Sequence, residues 1–278
     1  MIYSKVSIII ACYNDAHYIE QSVNSALNQT YPNIEIIVVD DGSNAETKAV
    51  LKKIEPQITK LLTQENQGQS IARNNGIRFA KGDYILNLDS DDFFEPSFCE
   101  KAVKKFQEDD KIKIVTCHAN RFNEKGTVDV FVPNGGDLNN FLFGNSSLGS
   151  CMFKMLDWEG TGGYEEKLPI LGFEDWEFYI QILKSGGYAY VINEILFNYR
   201  LREGSTTSRI RHERLDKFKL IIKKHRDLYV SNFDLLLEDL FNRIKREEFE
   251  KNKNTDRLEF RIGKAVLKPL RYIKSLFK

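Results

Sequence analysis

Apolar and polar positions alternate along the first 120 residues in a regular rhythm. Val6 to Cys12 is a mostly apolar run with Val6, Ile8, Ile9 and Ile10 β-branched, the pattern of a strand buried on both faces. Tyr18 to Asn28 follows with Ile19, Val23, Ala26 and Leu27 at helical spacing. The alternation repeats: a strand at 34–39, a helix at 45–54, a short strand at 60–63, a helix at 69–80 closed by Lys81-Gly82, and a strand at 83–88. Apolar strands alternating with helices predict an α/β fold built on parallel strands with helices on both faces.

Beyond residue 90 the rhythm loosens. A helix is expected at 95–107 and a strand at 112–117. Residues 120–150 are rich in Asn and Gly, with a hairpin arm at 128–132 and a short helix at 137–143. A helix over 174–183 stops at Gly186-Gly187, a strand covers 188–192, and 195–199 is extended. Charged helices follow, roughly at 208–228 and 232–252. These patterns place one domain over 1–205, in halves 1–100 and 101–205, and a helical extension over 206–278.

The 278 residues are 42% hydrophobic, enough for a substantial core. Cys12, Cys99, Cys117 and Cys151 form no C-x-x-C pair, which argues against a zinc site or a redox motif and suits a reducing compartment. Neither a signal peptide nor a membrane-spanning run is present in these residues, so the cytosol is expected. Net charge is zero but polarised: residues 200–278 carry 22 Lys/Arg against 12 Asp/Glu.

Candidate chemistry collects where strands one, two and four end: Tyr13-Asn14-Asp15, Asp40-Asp41-Gly42-Ser43 and Asp89-Ser90-Asp91-Asp92. In open α/β sheets ligands bind beyond the carboxyl ends of the strands, so three polar clusters there define one site. Carboxylates this close repel, and a divalent cation together with a phosphorylated substrate is a natural counter-ion. Asp92 is expected to be structural, a cap for the helix after Pro96.

The segments Val6–Asn14, Ser25–Pro32 and Ile36–Ser43, with Asn66-Gln67-Gly68, Ala72–Gly76, Asp89–Asp92, Gly162-Gly163-Tyr164 and Glu174–Glu177, resemble family 2 glycosyltransferases. The resemblance is close over 5–98, good over 147–200 and absent beyond about 208. It implies a GT-A fold, a Rossmann-like mixed sheet flanked by helices, and inverting transfer of a sugar from a nucleotide donor. Tyr13 then lies beside the base, with Ala11 bringing backbone close to it. Asp41, or its neighbour Asp40, accepts from the imide N–H of uracil or thymine, which favours a UDP-sugar or a dTDP-sugar. Arg73 pairs with the acidic cluster or with phosphate. Asp91 is the expected ligand of Mn²⁺ or Mg²⁺, with Asp89 on ribose or on the ion's shell and Ser90 between them. Asp175 is the expected base, beside Glu174 as an orienting group. Trp176 stacks on a sugar or fills the core. Many relatives carry a histidine shortly after the position of Tyr199-Arg200; here Arg202 stands as a candidate diphosphate contact.

Residues 260–278 place Ile262, Val266, Leu270, Ile273 and Phe277 at helical spacing among six Lys/Arg. That pattern fits an interfacial helix on anionic lipid, at the inner face of the cell membrane. A helix docked on its own domain or on a second copy is the alternative. The expected partners are a nucleotide sugar and a glycan or lipid-linked acceptor, with no nucleic acid. Two rival readings are a sugar-phosphate nucleotidyltransferase and an inactive nucleotide-binding assembly subunit. The first characteristically begins with a Gly-rich loop carrying Arg and Lys, which Ala11 to His17 lacks.

Overall fold

The computed structural model describes residues 4–202 and 212–275. The first half follows the expected alternation: β1 (Val6–Cys12), α1 (Ile19–Leu27), β2 (Ile34–Asp41), α2 (Ala45–Ile54), β3 (Lys60–Gln64), α3 (Gln69–Phe79) and β4 (Tyr84–Asp89). β1 lies centrally in this half, in parallel register with β2 and β4, so that Ile8 sits between Ile36 and Leu86. Ile8, Ile9 and Ile10 are fully buried, which requires cover on both faces of the strand. α3 supplies part of that cover. A side chain at Gly76 would meet Ile9 Cγ2 at 2.6 Å and Val39 Cγ2 at 3.0 Å, so glycine lets the helix seat closely on the sheet. Asn44 caps α2 by accepting from the Thr47 amide at 2.9 Å.

The second half adds β5 (Phe93–Phe94), α4 (Phe98–Glu108), β6 (Ile112–Asn123), β7 (Gly126–Phe131), α5 (Leu138–Phe141), β8 (Met152–Lys154), α6 (Met155–Thr161), α7 (Glu174–Leu183) and β9 (Tyr188–Arg200). Among the described residues these complete a nine-stranded sheet of order β3-β2-β1-β4-β8-β6-β9-β5, with β7 paired to β6. β8 runs antiparallel to both β4 and β6, so the sheet is mixed. The expected extended pieces at 188–192 and 195–199 are one strand, which follows β6 across an irregularity near Cys117 and His118. The short helix expected near 137–143 is α5, entered through a capping box of Asp137 and Asn140. Asp92 does not cap α4. Its Oδ1 accepts from the Arg200 amide at 2.7 Å and ties the end of β9 to the acidic turn.

The expected boundary near residue 205 lies outside the described residues, as does the start of a helix at 208. Helices then run as α8 (Arg214–Lys224), α9 (Arg226–Ser231), α10 (Phe233–Asp256) and α11 (Leu258–Ser275). The chain separates into two compact units, residues 1–224 and 225–278. No helix among the described residues is long and apolar enough to cross a membrane. All four cysteines are buried free thiols.

Candidate active site

The parallel strands deliver their polar ends to one edge of the sheet. Cys12 is in register with Asp40, and Ala11 with Asp89. The turn after β1 is held to the turn after β2. The Asn14 amide donates to Ser43 Oγ at 3.1 Å, and Asn14 Oδ1 accepts from the Asn44 amide at 2.7 Å. Asn14 adopts a left-handed conformation (φ 58°), which asparagine tolerates better than most residues. Tyr13 projects from this turn with its ring half exposed.

Asp40 and Asp41 diverge as alternation along a strand requires. Asp40 accepts from the Ser43 amide at 2.9 Å. Asp41 accepts from Gln64 Nε2, the Gln67 amide and the Gly68 amide at 2.8, 2.8 and 2.9 Å. Its carboxylate therefore orders the loop that opens α3.

Arg73 is the centre of the arrangement. It lies on the sheet-facing side of α3, one turn before Gly76, and is 3% exposed. Its Nη2 donates to Asp89 Oδ1 at 2.6 Å, its Nη1 lies 3.9 Å from Glu174 Oε1, and its guanidinium sits 5.5 Å from the Tyr164 ring centroid. Burial works against the charge, but Asp89, Glu174 and Asp175 keep it firmly protonated. The carboxylates feel the converse. Burial lifts Glu174 to about 7, although Arg73 pulls the other way. Burial also raises Asp175, with Arg73 again opposing. Glu174 Oε2 is buried without a hydrogen-bond partner.

Glu174 and Asp175 begin α7, behind a turn at Gly172 (φ 80°), where the helix amino end stabilises negative charge. Asp175 stays partly open to solvent, and its Oδ2 accepts from Asn145 Nδ2 at 3.0 Å. Trp176 turns inward. It is buried, donates from Nε1 to the Phe141 carbonyl at 2.5 Å and stacks on Phe218. Of the two expectations for it, filling the core is the one these surroundings fit.

The acidic turn after β4 carries a second knot of charge. Ser90 Oγ donates to Asp15 Oδ2. Arg202 Nη1 donates to Asp15 Oδ1 at 2.7 Å, and its Nε lies 2.7 Å from Asp91 Oδ2. Burial and the neighbouring Asp89 push Asp91 up to about 6, while Arg202 opposes the shift. Arg200 donates from Nε to the Asp91 carbonyl at 2.9 Å and from Nη2 to Gln21 at 2.6 Å. Both Arg200 and Arg202 lie over the Tyr18 ring, at 4.7 and 5.3 Å.

Two clusters, Arg73 with Asp89 and Glu174, and Ser90 and Asp91 with Asp15 and Arg202, thus adjoin along the turn after β4, and Asp175 follows Glu174 at the start of α7. Ala11, Tyr13 and Asp41 line the adjoining strand ends. Asp15, Arg200, Tyr18 and Asn145 complete the site without having been singled out as site residues in the sequence. Asp15 stood in a polar strand-end cluster, the one signal available. Asn145 gave none, because its contact to Asp175 is 30 residues away along the chain.

The acidic turn fits a divalent ion. Asp91 and Asp89 offer hard oxygen ligands, and part of the upward shift of Asp91, after burial, comes from the Asp89 charge, which a cation would relieve. No three His, Cys, Asp or Glu side chains among the described residues enclose an ion by themselves. Such an ion would use one or two carboxylates together with substrate phosphate oxygens, which is ordinary for Mg²⁺.

Residues 7–156 match the model of glycosyl transferase family 2. The chain belongs to that family. It is 32% identical over 207 residues to the putative teichuronic acid biosynthesis glycosyltransferase TuaG of Bacillus subtilis, covering 73% of this chain and 81% of that one. It is also 32% identical over 211 residues to the chondroitin synthase of Pasteurella multocida. That match covers 73% of this chain but only 21% of the synthase, so this family 2 chain spans about a fifth of the larger protein. Solved structures share the fold. Staphylococcus aureus TarS 1-349 in complex with UDP-GlcNAc aligns at a TM-score of 0.61 and 21% identity, covering 73% of this chain and 60% of that one. The mannosyltransferase PcManGT of Pyrobaculum calidifontis, in complex with GDP-Man and Mn²⁺, aligns at 0.60 and 20% identity, covering 76% and 61%. The fold is GT-A.

Proposed function

We propose that this chain is an inverting glycosyltransferase of bacterial surface polysaccharide synthesis. It moves a sugar from a UDP-sugar, or a dTDP-sugar, to a hydroxyl of a glycan or lipid-linked acceptor. The observation that carries the reading is the buried Arg73, which joins the acidic turn after β4 to the carboxylates that begin α7. Donor-side and acceptor-side groups thereby share one edge of the sheet.

Tyr13 offers an exposed aromatic face to the base, beside the backbone of Ala11, and Asp41 orders the loop that borders it. UDP and UDP-GlcNAc complexes of TarS and the GDP-Man complex of PcManGT support a nucleotide-sugar donor as a class. Asp91 and Asp89 would hold Mn²⁺ or Mg²⁺, as the Mn²⁺ bound to PcManGT favours. When bound, the ion neutralises charge growing on the departing diphosphate. Arg202 adds a guanidinium at the same place, suited to phosphate oxygens.

Asp175 is the base. Asn145 holds one carboxylate oxygen, and the raised pKa brings the other nearer the range useful for proton transfer. The acceptor oxygen attacks the anomeric carbon, the bond from that carbon to the diphosphate oxygen breaks, and the acceptor proton passes to Asp175. Asp175→Asn is expected to lower turnover by about 10²- to 10⁴-fold with donor affinity retained. Unchanged turnover in that variant would remove Asp175 from the role.

Thermal stabilisation by UDP, with and without Mn²⁺, and slow hydrolysis of a UDP-sugar test the class. Stabilisation by UTP plus a sugar phosphate, with pyrophosphate release, would instead indicate a nucleotidyltransferase. Nucleotide binding without turnover on any of a panel of donors would indicate an assembly subunit.

The reading extends to the membrane surface. In α11 the side chains of Leu258, Phe260, Ile262, Val266 and Leu267 are exposed, and six Lys/Arg from Arg261 onward face no acid in sequence. This combination suits peripheral binding to anionic lipid at the cytoplasmic face. Deleting 260–278 is expected to move the protein from the liposome pellet to the supernatant. Equal sedimentation of both forms, or a change of oligomeric state in its place, would refute lipid binding.

A further inference from the structure

α8, like α7, lies outside the residues that match the family model, and side chains of α8 contact α7 and the loop before it. Lys217, Phe218, Ile221 and Lys224 share one helical face by their spacing. Each of the three outer positions grips a different point around Asp175. Lys217 is 5% exposed, donates from Nζ to the Leu171 carbonyl at 2.8 Å and lies 3.1 Å from Glu213. Leu171 immediately precedes the Gly172 turn into α7. Phe218 stacks on Trp176 with centroids 5.4 Å apart and planes 23° from parallel. Lys224 Nζ lies 2.8 Å from Glu177 Oε1 and also donates to Glu165. Glu177 is fully buried in the first turn of α7.

Apolar packing alone does not call for this arrangement. The buried Lys217 ammonium is costly to desolvate unless fully paired, and a methionine would bury the same stem, while the more exposed Lys224 is held by ion pairs to Glu165 and Glu177. What two lysines add is direction. One fixes a backbone carbonyl four residues before Asp175, and the other fixes an acid two residues after it. Between them Phe218 presses on the side chain adjoining Asp175. We propose that Lys217, Phe218 and Lys224 are positioning residues, and that α8 is a clamp setting the height and rotation of Glu174 and Asp175 relative to Arg73. This inference rests on Asp175 as the base. Displacement of a reacting group by about 1 Å can cost about 10²-fold in rate, so a clamp at this distance affects turnover without touching substrate.

The test uses the full chain with Lys217→Met and Lys224→Met, each beside its arginine counterpart. Hydrogen exchange is followed over residues 165–177, with β1 as internal reference, alongside donor affinity and steady-state kinetics. Both methionine variants are expected to speed exchange over 165–177 at least tenfold with β1 unaltered. Turnover should fall at least tenfold while donor affinity changes less than twofold, and the arginine variants should recover most of the loss. If methionine variants do not fold, Phe218→Leu, which breaks no ion pair, takes the same readouts. Wild-type exchange and turnover in folded variants would overturn the clamp. So would donor affinity weakening in step with turnover, which marks general loss of structure. A wild-type protein that binds donor but transfers nothing would remove the Asp175 reading instead, and exchange over 165–177 would still decide whether α8 fixes this segment.

Discussion

Replacing Arg73 with methionine removes the one cation, among the described residues, that Asp89, Glu174 and Asp175 share. Its guanidinium lies 2.6 Å from Asp89 and 3.9 Å from Glu174. At an effective dielectric near 20 these contacts correspond to about 6 and about 4 kcal/mol of attraction. Desolvation of the buried groups offsets much of that sum, and breaking a buried pair typically leaves a net loss of about 3–5 kcal/mol. The loss depends on pH in a definite direction. Arg73 pulls the Glu174 and Asp175 carboxyls down against burial, so its removal lifts them further in the folded state and leaves them unchanged in the unfolded chain. A raised carboxyl binds more protons folded than unfolded, so stability falls as pH rises from the unfolded value towards the folded one. Urea unfolding should therefore show Arg73→Met at nearly its full penalty at pH 8 and a clearly smaller one at pH 5. A loss below about 1 kcal/mol at pH 8, or one independent of pH, would refute the three-carboxylate account.

Glu174→Gln tests the same electrostatics from the other side. Wild-type Glu174 is lifted from 4.5 to about 7, so it destabilises the ligand-free protein increasingly between those values, and glutamine should reduce the stability lost between pH 5 and pH 8; identical pH slopes for the two proteins would contradict it. Gly76→Ala should cost about 1–3 kcal/mol in chemical denaturation, because the new methyl meets Ile9 and Val39 at 2.6 and 3.0 Å. An unchanged midpoint would mean that α3 lifts off the sheet without penalty.

Of the first four strands, β1, β2 and β4 were legible because each is buried on both faces, which writes an apolar run into the sequence, whereas the half-exposed edge strand β3 showed only as a short Leu61-Leu62 pair between two helices. In the second half most of the helices and β6 were legible too, but parts of the sheet were not, for a physical reason. β8 is three residues long and is defined by pairing with β4 and β6, not by any local pattern. β9 carries an irregularity where its partner shifts register, and so it resembled two pieces. The site divides in the same way. Residue types at strand ends and at the start of α7 could be located from local sequence. Their pairing could not: Arg202 meets Asp15 across 187 positions, and Arg200 meets Gln21 across 179. The α8 face was visible only as part of a charged helix, with no sign that Lys217 is buried or that Lys224 pairs with acids beside Asp175.

Arg73 shows why a local reading stops where it does. The family resemblance pointed Arg73 to the acidic cluster or to phosphate, but as a lone arginine on a helix its local pattern says nothing of burial, and surface exposure is the common fate of such residues. Its burial follows from Gly76, three positions on along the same face of α3. With no side chain at 76, the helix approaches Ile9 and Val39 closely enough to carry the guanidinium in behind the end of β4. There it meets Asp89, and the same depth brings it to Glu174, 85 residues further along the chain. The charge balance of the candidate site is therefore set by how deeply one helix seats on β1 and β2. On this account Gly76→Ala should also loosen the Arg73–Asp89 pair, and the pH dependence of its stability should shift towards that of Arg73→Met. A variant that loses stability equally at pH 5 and pH 8 would show that packing and charge are independent here.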